Sequence, residues 1–128
     1  MKGSSQIEID FFNKIKSRFA DIKGKAYRSG MRSVIAEDVV ITYKSGFNGQ
    51  FQNGEVMIQV YVPDKSFKGS YTKDSARLRE FENRFMELEL TDGEYLISLI
   101  NIPETISEEA IKQHYVLARY KFRRINFK

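Results

Sequence analysis

Glu55-Val56-Met57-Ile58-Gln59-Val60-Tyr61-Val62, opened by Gly54 and closed by Pro63-Asp64, is the stretch from which the fold is read. Val56, Ile58, Val60 and Val62 alternate with Glu55, Met57, Gln59 and Tyr61. One side is wholly β-branched, as in a strand that lays one face on a core. Upstream, Asp38 to Ser45 alternates in the same way, with Val39, Ile41 and Tyr43 against Val40, Thr42 and Lys44. Between the two runs, residues 45–54 hold three glycines and two asparagines, residues that tolerate positive φ in turns, so the two strands are expected to form an antiparallel hairpin.

Outward from this hairpin, Ile7, Phe11, Ile15, Phe19 and Ile22 recur at steps of four and three and predict a helix over about 5–22. Ser5-Gln6-Ile7-Glu8 reads as its capping box and Gly24 as its left-handed stop. Lys14, Lys16, Arg18 and Lys23 fall largely off the stripe and read as a solvated face. Lys25 to Ser29 is either a brief strand or an extended connection. Residues 64–71 show no periodicity and read as a surface loop. Leu78, Phe81, Phe85 and Leu88 then predict a second helix over about 73–90, capped by Thr72.

Tyr95 to Ile102 is apolar on both faces and reads as a strand central in its sheet. Ser107 to Ile111 predicts a short helical turn, near 107–113, with Ser107 as its cap. The last strand, to about Ile125, sets Val116, Ala118, Tyr120 and Phe122 against Leu117, Arg119, Lys121 and Arg123. With helices too few to cross over every strand pair, one α+β domain is expected over residues 1–128. It would have a mostly antiparallel sheet of four to five strands and two main helices on one face.

The 128 residues suit one domain with a real core, and the 41% hydrophobic and 30% charged fractions are globular. No apolar run is long enough for a membrane span and the first ten residues lack the apolar stretch of a signal peptide, so an intracellular protein with no membrane partner is expected. The absence of cysteine removes disulfides, thiolate zinc sites and thiol nucleophiles. The single histidine, His114, accompanies no recognisable nucleophile motif and reads as structural. Glu108-Glu109 at a helix start needs no metal to explain it. Gly46, Gly49 and Gly54 lack the spacing and the Lys-Ser/Thr of a phosphate loop. No catalytic, cofactor-binding or metal site is therefore expected, and no cofactor.

Charge segregation is the strongest functional feature. After Glu109 the chain has no acidic residue, while Lys112, Arg119, Lys121, Arg123, Arg124 and Lys128 interleave with Tyr115, Tyr120, Phe122 and Phe127. Arg119, Lys121, Arg123 and Arg124 are the candidate contacts to a polyanion or a neighbouring subunit. The same residues also suit a sheet edge guarded by charge against aggregation. Phe47 and Phe67, in the loops, are candidate assembly contacts; Phe51 reads as buried within its own subunit.

The N-terminal amphipathic helix, Val39-Val40-Ile41-Thr42-Tyr43 leading through a Gly/Gln/Asn hairpin to Gly54 through Asp64, the second helix, and the closing strands with their basic tail resemble a known group. These features are similar to the tail-completion proteins of long-tailed phages and prophages, also called tail-terminator, head–tail joining or neck proteins. That resemblance covers most of the chain. It implies a non-enzymatic virion structural protein that self-associates into a ring, contacts tail-tube or connector proteins, and lets DNA pass. It also implies residence in the bacterial host cytoplasm and then in the virion. A small nucleic-acid-binding module reading with the C-terminal strand is the alternative.

Overall fold

The computed structural model describes residues 3–28, 32, 36–45 and 53–125. Its order is α1 (Ser4–Arg18), β1 (Ala26–Arg28), β2 (Val39–Ser45), β3 (Asn53–Pro63), β4 (Lys65–Phe67), β5 (Ser70–Thr72), α2 (Ser75–Glu87), β6 (Tyr95–Leu99), β7 (Glu104–Glu108), a 3₁₀ turn (Glu109–Ile111) and β8 (Gln113–Arg124). The class is α+β. β1, β2, β3, β8 and β6 form the main sheet in that order, with β7 also paired to β8, and β4 and β5 make a separate hairpin.

β2 and β3 pair antiparallel, with Ile41 opposite Ile58, and β3 pairs antiparallel along β8, with Ile58 opposite Ala118. Three consecutive strands therefore place Ile41, Ile58 and Ala118 in one row, flanked by the rows Val39, Val60, Val116 and Tyr43, Val56, Tyr120. All but Tyr43 of these are buried, and both helices cover this face: Ile7, Phe11, Ile15 and Phe19 of α1 and its C-cap join Leu78, Phe81 and Phe85 of α2 in the same core. Aromatic rings close the layer, with Phe11 4.6 Å from Phe122 and 4.9 Å from Tyr95, and Phe19 5.3 Å from Phe85. The buried Tyr120 hydroxyl donates to the Phe85 carbonyl at 2.8 Å, so its polar end is satisfied inside the core.

Several expectations are corrected. Among the described residues the main sheet has six strands and is mixed, because β1 runs parallel to β2. Asp38 accounts for this arrangement: its fully buried carboxylate accepts from the Lys25 main chain at 2.9 Å and from Arg32 Nε at 3.0 Å, and the Val39 N–H donates to the Lys25 carbonyl. The segment before β2 is thereby fastened beside the segment before β1.

α1 begins at Ser4 behind Gly3 with no side-chain cap, so the capping box at Ser5 does not form, and the helix gives way at Phe19 rather than at Gly24. Gly24 has a different duty: a Cβ there would lie 2.0 Å from Asp38 Oδ1 and 2.4 Å from the Glu37 carbonyl oxygen. α2 is capped by Asp74, not Thr72, through the Arg77 N–H. Residues 64–72 are not an irregular loop but carry the β4–β5 hairpin, turned by Lys68 and Gly69 at φ of 50° and 82°. Two successive positive-φ residues match the right-handed twist of paired strands, and glycine takes the second without strain.

β6 ends at Leu99 and lies at the edge of the sheet, not in its middle, with Leu96 52% exposed. Residues 104–108 form strand β7, leaving only Glu109–Ile111 as the helical turn, with Glu108 preceding it and no side-chain cap from Ser107.

Candidate functional site

With both helices on one side, the other face of the sheet carries no helix among the described residues. Its rows are Lys44, Glu55, Lys121 and Ser98; Thr42, Met57 and Arg119; and Val40, Gln59, Leu117 and Glu104. The strand alternation of β8 carries Arg119, Lys121 and Arg123 onto this face together. Lys121 and Arg123 are exposed, and Arg119 Nη2 donates to Glu55 Oε2 at 2.9 Å across the β3–β8 pair. Both members of that pair are about two-fifths exposed, so water screens it. Glu55 lies between Lys44 and Lys121 in the register and offsets part of the charge of the row. Asn53, Leu96, Lys121 and Arg123 line a shallow depression of about 430 Å³ at the end of this face.

Arg124 does not belong with them. It is 5% exposed, and its Nε donates to Glu94 Oε2 at 2.7 Å, so it holds the start of β6. The aromatic side chains that interleave with the cations in the sequence part from them in space. Tyr120 and Phe122 are buried under the helices, while Tyr115 remains on the cationic side, its ring 5.0 Å from that of Tyr61. Arg32 lies over Tyr61 at 3.9 Å and donates to Gln113 Oε1 at 2.6 Å and to the Ala36 carbonyl at 3.1 Å. Gln113 is fully buried by this arrangement. This buried polar cluster carries no periodic signal, so reading the sequence missed it.

Phe67 stands 71% exposed on the β4–β5 hairpin with Tyr71, at 52%, nearby. Phe47, the other candidate assembly residue, and Phe51 lie outside the described residues, as do Phe127 and Lys128. His114 Nδ1 sits 2.7 Å from Asp64 Oδ1, a partner that the sequence did not suggest because fifty positions separate them. Among the described residues no group of three or more His, Asp or Glu side chains is placed to hold a metal ion, and no helix is long and apolar enough to cross a membrane.

A charged lattice joins the helices to the entrance of β2. Arg77 donates to both carboxylate oxygens of Glu37, at 2.9 and 2.6 Å, and Arg84 grips Asp21 with two bonds of 2.7 and 2.8 Å. The Arg84 hydrogen bonds hold the Asp21 carboxyl down at about 2, and the Glu37 bonds raise the Arg77 guanidinium further above its ordinary range. These pairs are framework: each guanidinium also lies over Phe81, at 4.3 and 5.0 Å, sealing the core edge. Compared with known proteins, the chain matches no protein-family model and no curated protein.

Proposed function

We propose that this protein is a non-enzymatic structural component of a phage or prophage tail or neck, self-associating into a ring and contacting tail-tube or connector proteins. The observation that carries the reading is the division of labour in β8. Val116, Ala118, Tyr120 and Phe122 build the core while Arg119, Lys121 and Arg123 stand on the helix-free face, where they can meet a neighbour or passing DNA. The succession of elements supports it through its resemblance to tail-completion proteins. The exposed Phe67 at the tip of a hairpin is a further candidate contact.

The test is the triple change Arg119→Gln, Lys121→Gln and Arg123→Gln. The melting temperature should fall little, because the Arg119–Glu55 pair is solvent-screened and worth about 1 kcal/mol or less, and Lys121 and Arg123 are exposed. Light scattering across a range of protein concentrations should show an oligomer in the wild type and a weaker one in the variant. A wild type that stays monomeric at every concentration refutes self-association, and a variant that unfolds refutes the assignment of the faces.

The cationic row also favours a second reading, a small nucleic-acid-binding module. Tyr120 and Phe122, turned away under the helices, are lost to it as base-stacking groups. Strongly salt-dependent binding of nucleic acid by the isolated monomer would place this reading first.

A further inference from the structure

The two lateral edges of the sheet are opposite in charge and complementary in relief. Among the described residues, β1 pairs only with β2 on one side of the sheet and β7 only with β8 on the other. Beside β1 runs a groove of about 650 Å³ between α1 and residues 22–26, its floor made by Phe19, Ile22 and Ala26 and its rim by Lys16 and Lys25. A smaller apolar hollow continues it past Ile9, Phe12 and Tyr27. Lys23 and Lys25 are exposed and make no ion pair with any described residue, whereas the nearby acids are engaged: Glu8 with Arg28, and Asp21 with Arg84.

At the opposite edge, Ile102 is 77% exposed immediately before β7. Glu104, Glu108 and Glu109 follow it, likewise without an ion pair to any described residue. A large apolar side chain bordered by carboxylates is the counterpart of an apolar groove bordered by ammonium groups.

We infer that the β7 edge of one copy docks on the α1–β1 edge of the next, Ile102 entering the groove and Glu104 and Glu108 meeting Lys23 and Lys25. Because the two surfaces are different patches of the same chain, the contact is heterologous. Repeated head to tail it closes a ring or runs on as a filament, in contrast to the two-fold dimer that a self-complementary patch makes. The inference rests on the self-association proposed above and specifies its joint.

Charge reversal tests it in the full chain. Lys23→Glu with Lys25→Glu, or Glu104→Lys with Glu108→Lys, should each weaken self-association on the order of tenfold or more, since like charges then face each other. Each variant should keep the wild-type melting temperature. A 1:1 mixture of the two variants should regain assembly, because acidic edges again meet basic ones.

The absence of cysteine allows a second measurement. Lys25→Cys combined with Glu108→Cys, treated with a short bis-maleimide, should give a ladder of dimers, trimers and higher species, whereas either single cysteine should give dimers at most. A wild type that assembles, with reversals that leave assembly unchanged and a double-cysteine variant that gives no ladder, overturns this joint while leaving the ring reading intact. A wild type that is monomeric at all concentrations overturns both.

Discussion

Ile58→Asp replaces a fully buried side chain, set between Ile41 and Ala118 in the middle row of the sheet, with a carboxylic acid. Two effects add. Losing the buried isoleucine removes about 2–3 kcal/mol of apolar transfer. The acid finds no buried partner, so it stays protonated in the folded state with a pKa raised by about 3 units or more. At pH 7, the unfolded chain releases that proton near pH 4 and is favoured by about 4 kcal/mol, at 1.36 kcal/mol per unit. Together these approach the whole stability of a domain, about 5–15 kcal/mol.

The sign is distinctive. Because the folded pKa lies above the unfolded one, the ionisation penalty is absent below about pH 4 and grows as pH rises toward the folded pKa. Urea unfolding of Ile58→Asp and Ile58→Asn at pH 4 and pH 7 separates the terms: only the aspartate variant should lose further stability, relative to wild type, between the two pH values. Gln59→Asp, half-buried on the helix-free face, should cost about 1 kcal/mol with little such slope. Equal losses for Ile58→Asp and Gln59→Asp, or a pH-independent deficit at Ile58, would falsify the assignment of the strand's faces.

Three further outcomes follow from the packing around Asp38 and the charged lattice. Gly24→Ala should destabilise by about 2–3 kcal/mol in thermal unfolding, since its methyl group overlaps Asp38 and the Glu37 main chain and can be accommodated only by moving backbone. Glu37→Gln should cost about 2–3 kcal/mol by leaving the Arg77 guanidinium without its bidentate, 6%-exposed partner, and Arg77→Met in the same background should recover part of the loss in a double-mutant cycle. Asp21→Asn should cost about 1 kcal/mol or less at pH 7, the half-exposed carboxylate being screened; because the folded pKa of Asp21 is depressed to about 2, its deficit against wild type should shrink as pH falls from about 4 through 2. A deficit that persists unchanged at low pH in a denaturant titration would mean that Asp21 acts through something other than its charge.

Periodicity alone determined what depends on which way a side chain points. The alternation in Glu55–Val62 set Val56, Ile58, Val60 and Val62 inward, and the same rule in the last strand separated Val116, Ala118, Tyr120 and Phe122 from Arg119, Lys121 and Arg123. The stripes of Ile7, Phe11, Ile15 and Phe19 and of Leu78, Phe81 and Phe85 likewise found the buried faces of both helices. The tertiary structure alone decided which strands are neighbours, because a strand's period reports its two faces and is silent about its two edges. Thus Tyr95–Leu99, apolar on both sides, lies at the rim, and Ala26–Arg28 joins in parallel because the buried Asp38 carboxylate holds the chain before it. Arg124 stands among the cations in sequence, but the same alternation sets it apart from them. One position beyond Arg123, it faces the opposite way, and Glu94, thirty residues distant in sequence and adjacent in space, turns a candidate contact into a buried support.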